Sequence, residues 1–190
     1  MPKASLMIRA IISDFDGTLC DTFEANFRAY AEAFEKEGMQ LTREKYRECF
    51  GLRFDNFMER MNVADEDVKR RIRLNKGECY PNHFSHFVGN DTLLRFISDF
   101  HNAGGKTAVA STARRKNLMN ALHHLDAEDI FDLILAGEDV THGKPDPEIY
   151  LKAAEKLGVR VEECLVFEDS DVGLEAARRA GMPHIKIKKQ

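Results

Sequence analysis

Acidic side chains follow two apolar segments of this chain at positions where they could do chemistry. Asp14 and Asp16 come directly after the apolar run that ends at Ser13, and Glu168 and Asp169 end and follow another. A carboxylate can attack phosphorus or exchange a proton, and grouped carboxylates bind a hard cation such as Mg2+. The pattern therefore predicts a metal-dependent acid–base or nucleophilic site.

Two hydroxyl residues and a lysine extend this set. Ser111 and Thr112 follow a third apolar segment, and Lys144 lies in a loop before a predicted helix. A hydroxyl group and a backbone N–H can bind phosphoryl oxygens, and an ammonium group adds a compact positive charge. Because phosphoryl transfer needs an aligned nucleophile and cations around the phosphate, these residue types together favour that reaction.

Strand and helix patterns alternate along most of the chain. In an open parallel sheet, ligands bind beyond the carboxyl ends of the strands, so we expect the residues after each strand to form one site. The alternation predicts an α/β fold, a doubly wound, Rossmann-like parallel sheet wrapped by helices. The predicted strands are 8–13, 106–111, 132–136, 164–168 and 184–187, and the helices between them are 91–102, 114–125, 147–157 and 171–180.

A helical block interrupts this alternation after the first strand. Phe23, Phe27, Tyr30 and Phe34 recur at helical spacing, and Gly38 is placed to end that helix. We expect Asp21 or Thr22 to cap its start. No strand pattern interrupts 41–87. The predicted domains are thus an α/β core at 1–20 and 91–190 and an inserted helical cap at 21–90.

Four short segments, DFDGTL, VAST, GKPDP and VFEDS, occur in this order and resemble the four motifs of the haloacid dehalogenase superfamily. The helical insertion resembles the cap of phosphoglycolate phosphatase and β-phosphoglucomutase. The resemblance implies that Asp14 is the nucleophile and that Asp16 protonates the leaving group and later activates water. It implies one Mg2+ bound by Asp14, the Asp16 carbonyl and Asp169, with Glu168 touching the ion or its waters.

The resemblance also implies roles in binding. Ser111 and Lys144 would act on the phosphoryl group as catalytic residues. Substrate or phosphate contacts would come from Gly17, Asn26, Arg53, Thr112 and Arg114. Arg53 follows Gly51 and Leu52 at a helix–helix junction, where related caps often present specificity residues.

We expect a phosphatase that hydrolyses a small phosphorylated metabolite, through a covalent aspartyl-phosphate on Asp14. The alternatives are a sugar phosphomutase and a catalytically weak phosphate-binding regulatory module. In β-phosphoglucomutase, which the first helix resembles, a histidine stands where this chain has Asn26. Because an asparagine cannot exchange a proton near neutral pH, Asn26 favours hydrolysis. Phosphoglycolate, sugar phosphates and nucleotides all remain open as substrates.

Several of these residues also have a purely structural interpretation. An Asp-x-Asp-Gly segment is common turn chemistry, and Ser111 or Thr112 could cap the next helix. We expect Asp146 with Pro147 to begin one helix and Asp171 to cap another. The spacing of Cys79, His83 and His86 is compatible with zinc, but no second ligand pair accompanies it, so we expect structural roles.

Composition excludes several other classes. Hydrophobic residues make up 43% of the chain and charged residues 32%, with a net charge of -4. No basic stripe predicts nucleic-acid binding, and no apolar run reaches the length of a membrane span. The apolar run at the start is too short for a signal peptide, so we expect a cytoplasmic protein. Its cysteines are far apart, which favours reduced thiols; a monomer and a weak dimer both remain compatible with the sequence.

Overall fold

The computed structural model describes residues 7–188. Residues 1–6 and 189–190, which include part of the predicted core segments and of the start considered for a signal peptide, lie outside the described residues. The chain divides into a core unit, Met1–Asp21 with Gly89–Gln190, and a helical unit, Thr22–Val88. The first boundary falls one residue after the predicted boundary and the second falls two residues before it.

A five-stranded parallel sheet forms the centre of the core unit. Its strands are β1 (Ala10–Ser13), β4 (Lys106–Ala110), β5 (Leu133–Leu135), β6 (Cys164–Glu168) and β7 (His184–Lys186), in the order β5-β4-β1-β6-β7. The chain builds the sheet outward from β1 on one side and then crosses to the other side. The carboxyl end of β1 is therefore the topological switch point, where such sheets bind ligands.

Helices alternate with these strands, and the predicted doubly wound α/β fold is confirmed. They are α5 (Asp91–Asn102), α6 (Arg115–His124), α7 (Glu148–Leu157) and α8 (Asp171–Arg179). The predicted strands and helices overran the observed ones by one or two residues at several ends, because hydrophobic pattern does not register the first extended or capping residue. The two-residue strands β2 (Cys20–Asp21) and β3 (Val88–Gly89) were not predicted.

The sheet is buried on both faces at β1, where all four residues are inaccessible to solvent. Three of the four are apolar, as expected where helices cover both faces of a parallel sheet, and the hydroxyl of the fourth, Ser13, donates to the Asp14 carbonyl at 2.8 Å. Ile12 pairs in register with Ala108 on one side and Val166 on the other. Small residues on α7 and α8 let these helices lie close to the sheet, and the core cluster includes Ala153, Ala154, Ala176 and Ala177. This packing holds the ends of β1, β4 and β6 in fixed positions.

The helical unit contains α1 (Phe23–Glu35), α2 (Arg43–Cys49), α3 (Phe54–Arg60), α4 (Glu66–Cys79) and a 3-10 segment, Tyr80–His86. The aromatic stripe of α1 packs on Tyr46 and Phe57, as predicted for an amphipathic helix. Thr22 is the N-cap residue of α1, but its side chain makes no capping bond. Within residues 7–188, none of the helices is both long and apolar enough to span a bilayer.

Candidate active site

Asp14 directly follows β1, and its backbone N–H donates to the carbonyl of Phe167 at 3.0 Å. This bond continues the pairing with β6 and fixes the direction of the side chain. Asp14 is buried, and its Oδ1 accepts a hydrogen bond from Lys144 Nζ at 2.7 Å. Burial and the neighbouring Glu168 raise the pKa of Asp14 well above its usual range, while Lys144 opposes that rise. The hydrogen bond from Lys144 therefore fixes the side chain of Asp14 and opposes the effect of its burial.

Lys144 reaches this point from the loop before α7, and its side chain is only 4% exposed. Its ammonium group donates to Asp14 Oδ1 at 2.7 Å, to Glu168 Oε2 at 2.7 Å and to the carbonyl of Ala110 at 3.1 Å. Burial alone would favour the neutral amine, but Asp14 and Glu168 hold the pKa of Lys144 well above its usual value. The alternative of a plain surface lysine is wrong for this residue.

Glu168 is the last residue of β6 and is 1% exposed. Its Oε2 accepts from Lys144 Nζ at 2.7 Å and from the Tyr150 hydroxyl at 2.6 Å. Its Oε1 accepts from the backbone N–H and the hydroxyl of Ser170, at 3.1 and 2.8 Å. Although burial raises the pKa of Glu168, Lys144 and these donors lower it below its usual value. Glu168 is thus ionised.

Asp169 lies beside the turn that follows Asp14. Its Oδ1 accepts from the Thr18 hydroxyl at 3.2 Å, and the residue is buried. Gly17 has a φ of +93°, and a Cβ at that position would lie 2.5 Å from Asp169 Oδ2. Glycine is required here both for the backbone angle and for the close approach of Asp169. Asp16, half-buried, lies within the same turn.

The arrangement fits a hard divalent cation. Oxygen atoms of Asp14, Glu168 and Asp169 lie within 4.8 Å of one another, and all three residues are buried. Carboxylate oxygens are the ligands that Mg2+ prefers, and a cation would relieve the repulsion between these anions. The residues present would therefore suit such an ion.

The predicted phosphate-binding residues after β4 lie beside this group. Ser111 is buried and follows Ala110, whose carbonyl accepts from Lys144. Its hydroxyl accepts from the N–H of Ala113 at 3.0 Å. Thr112 is half-buried, and Arg114 is the exposed N-cap residue of α6, 3.6 Å from Glu138. Neither Ser111 nor Thr112 caps α6, because the turn places the N-cap later.

The starts of α7 and α8, both near the site, test the two predicted helix caps. Pro147 is the N-cap residue of α7 and makes no side-chain capping bond, but Asp146 Oδ1, one position earlier, accepts from the backbone N–H of Glu148 in the first turn at 2.9 Å. The predicted cap at Asp171 is wrong: Ser170 is the N-cap residue of α8, and its hydroxyl accepts from Gly173 N–H at 3.1 Å. Asp171 pairs with Lys186 at 2.6 Å instead.

The other metal candidate of the sequence does not assemble among residues 7–188. Cys79, His83 and His86 are not among the groups of ligands that lie within 4.8 Å of one another. His83 Nε2 lies 2.7 Å from Glu32 Oε1, and the rings of His83 and His86 are stacked. A second such group, His142 with Asp146 and Glu148, does lie together, but its carboxylates accept backbone N–H groups of the loop.

Two predicted substrate contacts belong to the helical unit. Asn26 is buried in α1, and its amide donates to the Thr22 carbonyl and hydroxyl at 3.2 and 3.0 Å and to the Tyr80 hydroxyl at 3.2 Å. Arg53 is the exposed N-cap residue of α3, at the junction between α2 and α3. The first residue is fixed by its neighbours, and the second is accessible.

Sequence reasoning missed Tyr150, Ser170 and Thr18. Tyr150 lies six positions after Lys144, on the buried face of α7 with Ile149, Ala153 and Ala154. A single hydroxyl on an otherwise apolar helix face is the signal that could have identified it, because a buried hydroxyl needs a partner.

Comparison with known proteins adds independent findings. The model of the haloacid dehalogenase-like hydrolase family matches residues 11–187. A phosphorylated carbohydrates phosphatase of Thermotoga maritima is 34% identical over 184 residues, covering 94% of this chain and 84% of the relative. A fructose-1-phosphate phosphatase of Escherichia coli is 30% identical over 182 residues, covering 94% and 95%. The crystal structure of a CbbY mutant from Rhodobacter sphaeroides, in complex with xylulose-(1,5)bisphosphate, superposes with a TM-score of 0.86 at 30% identity, covering 96% and 87%.

Proposed function

This chain belongs to the haloacid dehalogenase-like hydrolase family and is a phosphate monoester hydrolase, and we propose that it uses Asp14 as nucleophile on a phosphorylated carbohydrate, with Mg2+. The observation that carries this proposal is the position of Lys144 Nζ, 2.7 Å from both Asp14 Oδ1 and Glu168 Oε2 at the end of β1. A buried carboxylate beside a fixed cation, at the switch point of a parallel sheet, suits attack on a bound phosphate.

In the first step a carboxylate oxygen of Asp14 forms a bond to phosphorus. The bond between phosphorus and the ester oxygen breaks, and that oxygen takes a proton from the carboxyl group of Asp16. The alcohol leaves, and the phosphoryl group remains as an acyl phosphate on Asp14. Lys144 offsets negative charge on the transferred oxygens, and Ser111 with the N–H of Thr112 binds them.

In the second step a water molecule attacks the phosphorus atom. Asp16, now a carboxylate, takes the proton from this water, and the bond between phosphorus and Asp14 breaks. Inorganic phosphate is released, and both aspartates return to their starting states. The same residue therefore acts first as acid and then as base.

Asp14, the Asp16 carbonyl and Asp169 would hold Mg2+. When bound, the ion supplies positive charge that lets an anionic nucleophile approach an anionic phosphate. Thr18 holds Asp169 by a 3.2 Å hydrogen bond, and Gly17 leaves room for it. These two residues thus support the position of a ligand without binding the ion themselves.

A phosphorylated carbohydrate is the substrate class supported by the relatives, two of which are named for sugar phosphates or phosphorylated carbohydrates. We propose that the helical unit acts as the cap that selects among such substrates. Its interior is fixed by aromatic packing, including Tyr46 and Phe57, so exposed residues at helix junctions are the ones able to vary contacts with a substrate.

The test is phosphate release from a panel of phosphorylated metabolites, with and without Mg2+. We expect metal-dependent release, highest for hexose and pentose phosphates, with less from phosphoglycolate and nucleotides. No release from any compound in the presence of Mg2+ would instead favour a phosphate-binding regulatory module. Release that prefers nucleotides would reject the carbohydrate assignment while leaving the phosphatase class in place.

Asn26 favours hydrolysis over the alternative phosphomutase activity. Its amide is held by Thr22 and Tyr80, so it cannot relay a proton to a sugar. We expect the enzyme, given β-glucose 1-phosphate and a trace of glucose 1,6-bisphosphate, to release free phosphate faster than it forms glucose 6-phosphate. The reverse order of rates would establish a mutase.

Arg53 is proposed to contact the non-transferred end of the substrate, since it is exposed at the junction of α2 and α3. Replacing Arg53 by Ala should raise KM for the best substrate about ten-fold, the loss of about one charged hydrogen bond, with little change in kcat. Arg70, an exposed arginine on α4 paired with Asp67, provides the matched control. An unchanged KM for the Arg53 variant would show that Arg53 is a surface residue that does not contact the substrate.

A further inference from the structure

Tyr150 is the largest fully buried side chain of the chain's described residues, and its hydroxyl group points at the site. The hydroxyl donates to Glu168 Oε2 at 2.6 Å, and the ring lies 5.0 Å from Lys144 Nζ. Burial raises the pKa of Tyr150 well above its usual value, so the phenol stays protonated and remains a donor. A phenylalanine would fill the same space, so packing alone does not explain the hydroxyl group of Tyr150.

The hydrogen bonds of Glu168 explain why residue 150 carries a hydroxyl group. A carboxylate offers about four lone-pair sites, and four donors surround this one: Lys144 Nζ, the Tyr150 hydroxyl, and the N–H and hydroxyl of Ser170. A Cβ at Gly173 would lie 2.0 Å from the carboxyl carbon, so the carboxylate is also enclosed by α8. Its oxygen lies near those of Asp14 and Asp169, but its lone pairs are already occupied.

We propose that Tyr150 is a positioning residue for phosphoryl transfer, which fixes Glu168 so that Glu168 anchors the Lys144 ammonium group against Asp14 and does not itself bind the cation. The inference rests on the proposed function of Asp14 and Lys144. It assigns the two carboxylates of the Glu168–Asp169 pair different tasks: four donors hold Glu168, whereas Asp169 accepts from Thr18 and lies against Gly17, in the turn after Asp14.

The geometry explains why one hydroxyl group matters. All three donors of Lys144 are used, by Asp14, Glu168 and the carbonyl of Ala110. If Glu168 rotates, the ammonium group follows it or loses a partner, and its distance to Asp14 changes. In a buried site, the stabilisation of charge depends steeply on the position of the charged group. Displacement of the Lys144 ammonium group should therefore lower the rate of the chemical step strongly and affect the affinity for substrate less.

The experiment compares Tyr150→Phe with the control Thr107→Val. Both remove a buried hydroxyl from the core unit, but Thr107 is at the opposite end of β4 from Ser111 and bonds the carbonyl of Ile130. We expect Tyr150→Phe to lower kcat about ten-fold, with KM and the half-saturating Mg2+ concentration unchanged within about two-fold. Thr107→Val should lose a similar amount of thermal stability and keep the kcat of the wild type.

Asp169→Asn provides the metal reference, because it should raise the half-saturating Mg2+ concentration more than ten-fold if Asp169 is the ligand, as about one charged contact is lost. A Tyr150→Phe variant with wild-type kcat would overturn the positioning role. A rise in half-saturating Mg2+ equal to that of Asp169→Asn would overturn the anchor role of Glu168.

Wild-type phosphate release is measured first, so failure of the proposed function is seen separately. If it fails, crystal structures of the wild type and Tyr150→Phe still decide the inference. We expect the Glu168 carboxylate to rotate and the distance from Lys144 Nζ to Asp14 Oδ1 to lengthen; an unchanged distance overturns the proposal. Should Tyr150→Phe fail to fold, Ser170→Ala removes another donor to Glu168. We again expect kcat to fall, and an unchanged kcat would overturn the proposal.

Discussion

The two ends of the core sheet both carry polar groups, but they differ in charge balance. At the carboxyl end, Asp14, Glu168 and Asp169 surround the ammonium group of Lys144. At the amino end, the buried Thr107 donates from its N–H to Asp132 Oδ2 at 2.9 Å and from its hydroxyl to a backbone carbonyl at 2.7 Å. Every one of these groups has a partner, so hydrogen bonding alone does not distinguish the ends.

The difference appears in the pKa values of the carboxyl groups. Burial and Glu168 raise the pKa of Asp14, whereas at Asp132 the effect of burial is outweighed by Thr107 N–H, Lys106 and His101, which lower the pKa. Asp132 keeps 25% exposure, with Lys106 Nζ at 3.5 Å and the imidazole Nδ1 of His101 at 3.6 Å. At the carboxyl end, Asp14 is buried beside another carboxylate, an arrangement typical of functional sites. At the amino end, Asp132 is partly exposed and lies beside basic side chains, as expected for a structural carboxylate.

The largest effect should come from Asp14→Asn. The amide nearly matches the carboxylate in shape but cannot form the acyl phosphate, so kcat should fall by at least about a thousand-fold while the thermal transition is retained. Phosphate release measured with Mg2+ and the best substrate tests this. Retention of more than about a tenth of the activity would reject covalent catalysis through Asp14.

Gly17→Ala should have the next largest effect. The new Cβ would lie 2.5 Å from Asp169 Oδ2, at a φ of +93°, so Asp169 or the turn must move. We expect the half-saturating Mg2+ concentration to rise about ten-fold or more, as for loss of a charged contact. Gly104→Ala is the matched control: its φ is +89° and an added Cβ meets nothing within 4 Å. It should cost about 1 kcal/mol of stability and leave the Mg2+ requirement unchanged; equal Mg2+ effects in both variants would show that backbone strain alone is responsible.

Asp132→Ala should alter stability and leave catalysis intact. The N–H of Thr107 loses its acceptor, which should lower the free energy of unfolding by about 1–3 kcal/mol at pH 7, with kcat unchanged. Because the folded protein lowers the pKa of Asp132, its contribution is present above the unfolded value of about 4 and is lost as the pH falls through the folded value. Urea unfolding should therefore show a smaller difference between wild type and variant at pH 3 than at pH 7. A constant difference, or a loss of kcat, would contradict the division between the two ends.

Much of the fold and several features of the site follow from local pattern. The family resemblance, the α/β class and the phosphatase activity predicted from four motifs are confirmed. Helix α5 and strand β6 have the predicted bounds. The cap of α8 was predicted wrongly because Ser170 and Asp171 are both good capping residues, and only the path of the chain after Glu168 decides between them.

The sequence by itself determined which residues stand at the carboxyl ends of the strands, because alternating apolar segments impose a parallel sheet and the motifs end those segments. It placed Asp14, Ser111 and Glu168 in that way. Only the tertiary structure decided how their charges are shared. Lys144 and Asp14 are 130 positions apart, and Tyr150 and Glu168 are 18 apart, so no local spacing predicts their bonds. Burial made those bonds obligatory, since a charge or hydroxyl removed from water must find its partner within the fold.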